Sequence, residues 1–538
     1  MAPSRSSPAV VADMKADVQA DPVLLPDVAG FYAGRDVLVT GATGFMGKVL
    51  VEKLLRCCPD VRSVYILVRP KHGTSTRARV EAMSRLPVFE RLLKERPAAF
   101  EQLRPLEGDV GQEKLGLSEA DQRTVLDNVS IVFHMAASLN FKLPLKQAVE
   151  DNTAGTKSVL DFCCQIAKLE SFVYVSTAFC NCEQEVLEER VYRPKVDPHQ
   201  VMRLCRESDP DTLQTLTKQL MGKHPNTYTF TKQLSEGLVD EYHTKMPLSI
   251  ARPSIVTPAL REPVPGWVDS LNGPTGIVIA SGKGVLRSMM CDAQHHAEVV
   301  PVDVCINALI LIAYKRTRLS QDEAKRTPVY NVSSNEKQRI TWGEIIDLGR
   351  EKIHEYPYDT VLWYPDGASR TNWLAHTLIV FFFQTLPAYA IDLLLTLAMQ
   401  KTFMVRVQRK IAAGMSVLQY FTMRDWDFRN DRTWALWESL DRKDQEVFYI
   451  NNTVPVDPQE YLKIIILGSR QYCCKEPLST LPRARRVLRI LYYVHHTCIA
   501  LFYALCGWLL FRVLDSVLDS TLDPKSWAIL GQVSPSGH

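Results

Sequence analysis

The stretch DVLVTGATGFMGKVLVEKLLR, residues 36–56, decides the fold class. It begins with a β-branched apolar run at 36–40, continues through a glycine cluster, and ends in an apolar pattern with helical periodicity. Glycines at such a strand-to-helix turn allow a tight bend and let backbone N–H groups approach a pyrophosphate at the helix N-terminus. The stretch therefore predicts the first unit of a doubly wound, NAD(P)-binding Rossmann fold.

The same alternation of short apolar runs and longer helical patterns continues along the chain. The further runs lie at 63–68, 103–108, 130–135, 171–176 and 248–253. Runs that are apolar throughout suit strands covered on both faces, so we expect an α/β domain with a parallel sheet.

Composition shifts divide the chain into regions. We expect a disordered leader at 1–30 and a nucleotide-binding domain at 31–370, whose part 253–370 forms the substrate-binding half. A polar, helical insertion at 180–225 is expected near the mouth of the site. Residues 371–475 are expected to form a separate helical C-terminal domain.

Two segments are candidates for membrane contact. Residues 490–511 carry no formal charge and are long enough to cross a hydrocarbon core of ~30 Å, with a buried or in-plane helix as the alternative. Residues 376–399 are expected to form an interfacial or buried helix pair around Pro387. A basic cluster before the last segment favours a catalytic body on the cytosolic side, and consists of Arg483, Arg485, Arg486 and Arg489.

Overall charge and cysteine content exclude some classes of function. There are 63 Lys and Arg against 60 Asp and Glu, a formal net charge of +3, which provides no basis for a nucleic-acid partner. The 13 cysteines, in a chain without a secretory signal, indicate reduced thiols. No CxxC pair or metal-type Cys/His spacing occurs, so no metal site is predicted.

The predicted cofactor site combines the glycine turn with the ends of later strands. Its phosphate-binding part is Thr40, Gly41, Thr43, Gly44, Phe45, Met46 and Gly47. Arg69 ends the second strand where an acidic residue would suit a ribose 2′-OH, and its charge suits a 2′-phosphate, so NADPH is expected. Lys71 is a second candidate there, with a solvated lysine as the alternative. Asp109 and Val110 should lie near the adenine, and Ala136 should line the pocket.

Tyr228 and Lys232 have the YxxxK spacing, which places both on one face of a helix. A lysine one turn from a tyrosine can lower the phenol pKa and bind the nicotinamide ribose, and hydride chemistry at a carbonyl needs such a proton donor. Thr177, at the end of the fifth strand, is the candidate second donor, with Ser176 in a structural role. Asn152 is a candidate for anchoring a proton-relay water, with a helix-internal polar contact as the alternative.

Together these motifs resemble the extended short-chain dehydrogenases and, more narrowly, alcohol-forming fatty acyl-CoA reductases of the insect type. The resemblance covers roughly residues 30–475, including the helical C-terminal region. It is carried by VLVTGATGFMGKVLVEKLLR (37–56), YILVRPK (65–71), VYVSTAF (173–179), YTFTK (228–232), ARPSIVTP (251–258), GWVDSLNGPTGI (266–277) and EVVPVD (298–303).

The resemblance implies Thr177, Tyr228 and Lys232 as the catalytic set, with the last two also holding the cofactor. It implies two hydride transfers from NADPH, which take a long-chain fatty acyl-CoA to a bound aldehyde and then to a primary alcohol, with release of CoA. It further implies attachment to the endoplasmic reticulum or peroxisomal membrane. A homo-oligomer is left open.

Other functions remain open on the sequence alone. One is another membrane-bound extended dehydrogenase, of the hydroxysteroid dehydrogenase or sugar-nucleotide epimerase kind, against which the 266–277 segment speaks. A second is an acyl-CoA reductase that releases the aldehyde, and a third is an NADPH-binding scaffold without activity. Cys180 and Cys182 follow the fifth strand, but neither has a nearby sequence partner that would mark an activated thiol.

Overall fold

The computed structural model of the protein describes residues 27–70, 73–334, 339–450 and 457–522, with side chains described as far as residue 516. Lys71 and the first 26 residues of the predicted leader lie outside the described residues. The predicted leader boundary at residue 30 is wrong, because Asp27–Tyr32 is a helix whose Val28 and Tyr32 side chains are buried in the main core.

The strands are, in chain order, β1 Asp36–Thr40, β2 Ser63–Val68, β3 Leu103–Glu107, β4 Val129–His134, β5 Ser171–Val175, β6 Val186–Leu187, β7 Leu248–Pro253, β8 Ile255–Thr257, β9 Ser288–Met290, β10 Val299–Pro301, β11 Val329–Val332, β12 Ala368–Arg370 and β13 Asp427–Phe428.

The α-helices are α1 Asp27–Tyr32, α2 Phe45–Cys57, α3 Thr76–Ser84, α4 Glu90–Glu95, α5 Glu119–Asn128, α6 Leu145–Ala148, α7 Gly155–Cys163, α8 Pro198–Glu207, α9 Pro210–Met221, α10 Thr227–Glu241, α11 Pro274–Gly282, α12 Val302–Arg316, α13 Gln321–Ala324, α14 Trp342–Glu355, α15 Trp373–Val380, α16 Leu386–Leu397, α17 Met404–Thr422, α18 Asp431–Glu438, α19 Arg442–Val447, α20 Pro458–Gly468 and α21 Leu481–Leu522. Single π-helical turns occupy Val149–Ala154, Phe381–Thr385 and Ser469–Cys473.

A seven-stranded parallel sheet in the order β11-β7-β5-β4-β1-β2-β3 forms the centre of the molecule. Successive side chains of a strand point to opposite faces. Accordingly Val37 and Val39 pack on the face covered by α2 and α12, while Leu38 packs on the face covered by α7 and α10. The predicted doubly wound α/β fold is thus confirmed.

Strand order reverses between β1 and β4, since β2 and β3 continue from β1 in one direction and β5, β7 and β11 continue from β4 in the other. The carboxyl ends of all seven strands lie at one edge of the sheet. In doubly wound sheets a ligand binds in the crevice at such a reversal. The topology therefore places the candidate site beyond the ends of β1 and β4.

The C-terminal helical region predicted at 371–475 packs against the rest of the chain. Its strand β13 pairs with β6. Strand β12, which immediately precedes the region, pairs with β9. Phe448 belongs to the main core cluster, and Tyr449 Oη donates to Asp303 at 2.5 Å. The region 253–370 is likewise continuous with the sheet, because its strand β11 pairs with β7.

The 180–225 insertion contains two helices, as expected. Asp197 and Asp209 cap α8 and α9 by accepting hydrogen bonds from backbone N–H groups in the first helical turn, and a proline follows each cap. The insertion also contains β6, which links it to the C-terminal region.

Two helical segments of the described chain are long and apolar enough to cross a membrane, Trp373–Leu397 and Leu478–Ser516. The first consists of α15 and α16 joined by the π-helical turn just before Pro387. Only 11% of its most apolar window is buried, so the buried alternative for 376–399 is wrong. The second segment extends beyond the predicted 490–511 at both ends.

Candidate active site

The glycine turn after β1 lies against the segment after β4. Gly41 adopts a φ of +76°, and a Cβ there would lie 2.9 Å from the backbone nitrogen of Ala136. At Gly47, in the first turn of α2, a Cβ would lie 2.3 Å from the carbonyl oxygen of Gly41. These close approaches require glycine at both positions and bring Ala136 to the turn.

The N-terminus of α2 opens into this crevice. Gly44 is its N-cap residue, no described side chain caps it, and its first turn carries no acidic residue. Free N–H groups at a helix start, without a competing carboxylate, favour an anionic ligand such as a pyrophosphate. Binding of dinucleotide phosphates by the turn residues 40–47 remains a prediction.

A buried histidine that sequence reasoning missed supports this turn. His134 ends β4, and its Nδ1 lies 2.7 Å from Thr40 Oγ1, while its Nε2 lies 3.1 Å from Thr156 Oγ1. Thr40 Oγ1 also accepts hydrogen bonds from the backbone N–H groups of Met135 and Ala136. Burial, with a smaller contribution from nearby Lys232, lowers the pKa of His134 to about 3, so the ring is neutral at physiological pH.

The other predicted cofactor residues lie at the ends of β2 and β3. Arg69 is exposed directly after β2, which pairs with β1. Asp109 follows β3 and accepts a hydrogen bond from the N–H of Gly111 at 3.0 Å. Val110 packs against Gly155 at the start of α7, where a Cβ would lie 3.1 Å from the valine side chain. All three positions are at the same sheet edge as the glycine turn.

The helix that carries the YxxxK pair is positioned at its N-terminus. Asn226 caps α10 by accepting a hydrogen bond from the N–H of Thr229 at 2.9 Å, and Thr227 Oγ1 donates to the carbonyl oxygen of Leu143. Tyr228, in the first turn, keeps part of its surface exposed and meets the Phe141 ring edge to face at 5.2 Å.

Lys232 lies one turn further along α10 and is 3% exposed. Its Nζ donates to the carbonyl oxygen of Val175 at 2.6 Å and lies 4.4 Å from the centre of the Tyr174 ring. Both contacts join α10 to the end of β5. Burial lowers the pKa of Lys232 to about 8, against the opposing effects of Cys180 and Glu236.

Burial, reinforced by nearby Cys180, raises the pKa of the Tyr228 phenol above its ordinary value. Lys232 is not among the groups that shift this pKa, so its expected lowering of the phenol pKa remains a prediction. A protonated phenol at neutral pH is nonetheless the form that can donate a proton to a carbonyl oxygen.

Ser176 and Thr177 directly follow β5 and have different partners. Thr177 Oγ1 accepts a hydrogen bond from the N–H of Phe179 at 3.3 Å and lies 3.5 Å from the carbonyl oxygen of Pro253. Ser176 Oγ lies 3.6 Å from Cys180 Sγ, beneath the site. The catalytic role of Thr177 and the supporting role of Ser176 both remain predictions.

Asn152 connects the segment after β4 to α10. It lies in the π-helical turn Val149–Ala154, accepts a hydrogen bond from Ser138 N at 2.7 Å, and donates to Thr231 Oγ1 at 3.1 Å. These contacts position the helix that carries Tyr228. Whether Asn152 also holds a relay water remains a prediction.

A buried ion pair under Lys232 was also missed. Glu236, one further turn along α10, accepts hydrogen bonds from Arg252 at 2.8 and 2.7 Å, and both side chains are fully buried. Cys180 Sγ lies 3.1 Å from the same carboxylate. The available signals were an arginine inside a buried strand, which needs a partner, and the i, i+4, i+8 spacing of 228, 232 and 236.

Cys182, like Cys180, has a partner that sequence proximity did not indicate. Cys182 Sγ lies 3.7 Å from Nδ1 of His224. The same ring nitrogen also lies 3.2 Å from Thr229 Oγ1, and the other nitrogen contacts Gln233. Burial raises the pKa of the Cys182 thiol, so this pair does not have the character of an activated nucleophile.

Comparison with known proteins decides the family. Two family models, both described as "Male sterility protein", match residues 39–309, for the NAD-binding part, and residues 383–476. The chain is 34% identical to fatty acyl-CoA reductase wat of Drosophila melanogaster, over 91% of this chain and 93% of that protein. It is 35% identical to fatty acyl-CoA reductase 1 of Xenopus laevis, over 85% and 88% respectively. The chain belongs to the fatty acyl-CoA reductase family.

This fatty acyl-CoA reductase family member is an oxidoreductase with a nicotinamide nucleotide-binding domain. Among solved structures it resembles the reductase domain of a nonribosomal peptide synthetase from Mycobacterium tuberculosis, with a TM-score of 0.54 and 19% identity over 82% of this chain and 96% of that chain. The terminal reductase domain of the myxalamid pathway is similar, with a TM-score of 0.53 and 19% identity over 83% and 93%. At these identities the likeness supports the fold alone.

Proposed function

We propose that the protein reduces long-chain fatty acyl-CoA to a primary alcohol with NADPH. The observation that carries the proposal is the placement of Tyr228 and Lys232 one turn apart on α10, with Lys232 bonded to the end of β5 at the same sheet edge as the glycine turn. Membership of the family supplies the substrate class.

The residues at this edge fit a nicotinamide dinucleotide. The turn around Gly41 and the open start of α2 would hold the pyrophosphate, and Lys232 would hold the nicotinamide ribose. Arg69 would bind a 2′-phosphate by charge-assisted hydrogen bonds, which favours NADPH over NADH. Once bound, the nucleotide supplies a hydride.

The chain's own groups act on the substrate oxygen. Tyr228 would give its phenolic proton to the oxygen that develops negative charge as the carbonyl carbon is reduced, and the Thr177 hydroxyl would be a second donor. When the first reduced adduct collapses to an aldehyde, its hydroxyl proton would return to Tyr228 as the CoA thiolate leaves, so the phenol is again protonated. The same two donors would serve reduction of the aldehyde to the alcohol.

The site is proposed to face the cytosol. The arginines at 483, 485, 486 and 489 precede the exposed apolar part of α21, and basic residues mark the cytosolic flank of a membrane segment. Attachment to the endoplasmic reticulum or to peroxisomes suits a substrate and a product that partition into lipid.

The proposal is tested by incubating the purified full chain with acyl-CoAs of several lengths and either NADPH or NADH, and analysing the products by mass spectrometry. We expect CoA and primary alcohol, with NADPH preferred. Accumulation of aldehyde would restrict the activity to the first reduction, and free fatty acid without cofactor oxidation would refute the mechanism.

A further inference from the structure

The helical segment α15–α16, Trp373–Leu397, combines an exposed apolar surface with firm attachment to the body of the protein. The exposed fraction of its large apolar surface side chains ranges from 38% at Ile391 to 73% at Leu397. Other exposed members of this surface are Leu374, Phe382, Leu386 and Leu393.

Polar side chains bind the segment to the body at its start, middle and end. His376 Nδ1 lies 2.8 Å from Ser288 Oγ. Gln384, which is buried, accepts hydrogen bonds from the N–H groups of Arg287 and Ser288 at 2.7 and 3.1 Å. Asp392 accepts from three backbone N–H groups at the start of α17, including that of Met404 at 2.9 Å.

These attachments are incompatible with a helix that crosses the bilayer. A helix of 25 residues is about 37 Å long, so crossing would carry one end a full bilayer thickness from the other. Because the segment is bonded to β9 and α17 along its length, those polar elements would have to enter the hydrocarbon with it, at a cost of several kcal/mol for each unpaired polar group.

The position of α21 indicates how the segment meets lipid. His495, the last buried residue of α21 among those whose side chains are described, lies 3.1 Å from Trp363 Nε1 and 3.3 Å from the Asp366 carboxylate. The ring of Tyr492 lies 4.3 Å from that of the neighbouring His496, and such aromatic groups favour the headgroup level. Phe502 lies six residues beyond His496, roughly 9 Å along the helix, and its ring is 6.0 Å from that of Phe383 in the π-helical turn.

We propose that α15–α16 lies in the plane of the membrane as a non-spanning docking surface, with its exposed apolar side among the lipid chains next to α21. This rests on the proposed attachment through α21. Phe383 would then lie about 9 Å below the headgroup level of Tyr492 and His496. This depth agrees with that of interfacial helices, which insert about 5–10 Å. The basic side chains that follow the segment are exposed and suit anionic headgroups, namely Lys401, Arg406, Arg409 and Lys410.

The occupant is a bilayer rather than a second copy of the chain for two reasons. The surface is continuous with the apolar part of α21 through the Phe383–Phe502 contact, and α21 has the length for a bilayer. The exposed cluster of four basic residues would meet itself across a symmetric dimer contact but is attracted by an anionic membrane surface.

Cysteine accessibility in sealed microsomes, cytosolic face outward, tests the proposal on the full chain. Single variants Leu378→Cys, Phe382→Cys and Leu393→Cys are treated with a membrane-impermeant maleimide, before and after detergent. Arg409→Cys on α17 and Gln400→Cys in the turn after α16 are matched controls, and the parent chain corrects for its own thiols, including Cys498 and Cys506.

We expect the three apolar positions to be protected until detergent is added, and both controls to be labelled from outside in intact microsomes. Labelling of Gln400→Cys only after permeabilisation would show a spanning helix and overturn the proposal. Full labelling of all three apolar positions from outside would show a water-exposed segment and also overturn it.

Failure of the proposed function is recognised separately. Flotation of the parent chain with the microsomes measures attachment through α21, and oxidation of NADPH with palmitoyl-CoA measures activity. Circular dichroism of each cysteine variant in detergent excludes unfolding as the cause of labelling.

Discussion

Glu236→Gln removes one charge from the buried pair beneath Lys232 and is expected to affect both stability and the pH dependence of reduction. Both oxygens of Glu236 accept from Arg252, at 2.8 and 2.7 Å, and neither side chain is exposed. In the variant an amide N–H₂ group replaces one acceptor, and the Arg252 cation is left buried without a counter-charge.

Breaking a fully buried pair in this way costs about 3–5 kcal/mol. For a cooperative unit of roughly 450 residues the unfolding entropy is about 0.9 kcal/mol/K, so the unfolding temperature should fall by about 3–5 °C. Because the Glu236 carboxylate raises the pKa of Lys232, its removal should also move that pKa to a lower value. The alkaline fall in kcat/KM should then begin at lower pH than in the parent.

The assay is thermal unfolding of the full chain in detergent, followed by tryptophan fluorescence, together with kcat/KM measured against pH. Glu81→Gln is the matched control, because its pair with Arg85 is 62% and 75% exposed and should contribute under about 1 kcal/mol. An unfolding temperature for Glu236→Gln within 1 °C of this control, combined with an unchanged pH profile, would refute the reasoning.

Four further variants and conditions probe the site. Tyr228→Phe should lower kcat by about 10²–10⁴-fold at an unchanged unfolding temperature, and near-parental turnover would remove the phenol from the mechanism. The parent's kcat/KM should fall as pH rises through about 8, where Lys232 loses its charge, and a constant value to pH 10 would contradict this. Arg69→Ser should raise the KM for NADPH about 10-fold or more and leave that for NADH unaltered, whereas equal effects on both would exclude 2′-phosphate recognition. Gly47→Ala should abolish nucleotide binding in calorimetry, because its Cβ would lie 2.3 Å from Gly41 O, and parental affinity would show that the turn does not hold the pyrophosphate.

Local patterns explain what was predictable. The turn from Gly41 to Gly47 and the Tyr228–Lys232 pair are each formed within one or two helical turns of sequence, so spacing alone indicates their shape. The parallel sheet follows from continuous apolar runs, which are confirmed as β1, β2, β4, β5 and β7.

Long-range pairings explain what was missed. Arg252 and Glu236 are joined only when β7 and α10 pack together, and Asp303 meets Tyr449 across 146 residues of sequence. The Asp303–Tyr449 contact helps to bind the C-terminal region to the sheet. Composition alone had indicated that this region is separate. His134 had a weak signal, as a polar residue at the end of a buried strand.

Composition cannot distinguish a buried helix from one that faces lipid, because both are apolar on most sides. For Trp373–Leu397 the difference lies in tertiary contacts. Gln384 and Asp392, two polar residues within this apolar stretch, attach it to the body.

Transfer of deuterium from NADPH labelled at the reactive position of the nicotinamide tests the central claim most directly. With the purified chain and palmitoyl-CoA, the account predicts a primary alcohol whose carbinol carbon carries two deuterium atoms, and no such product from Tyr228→Phe at comparable enzyme and time. Unlabelled alcohol, or labelled alcohol formed equally well by Tyr228→Phe, would contradict it.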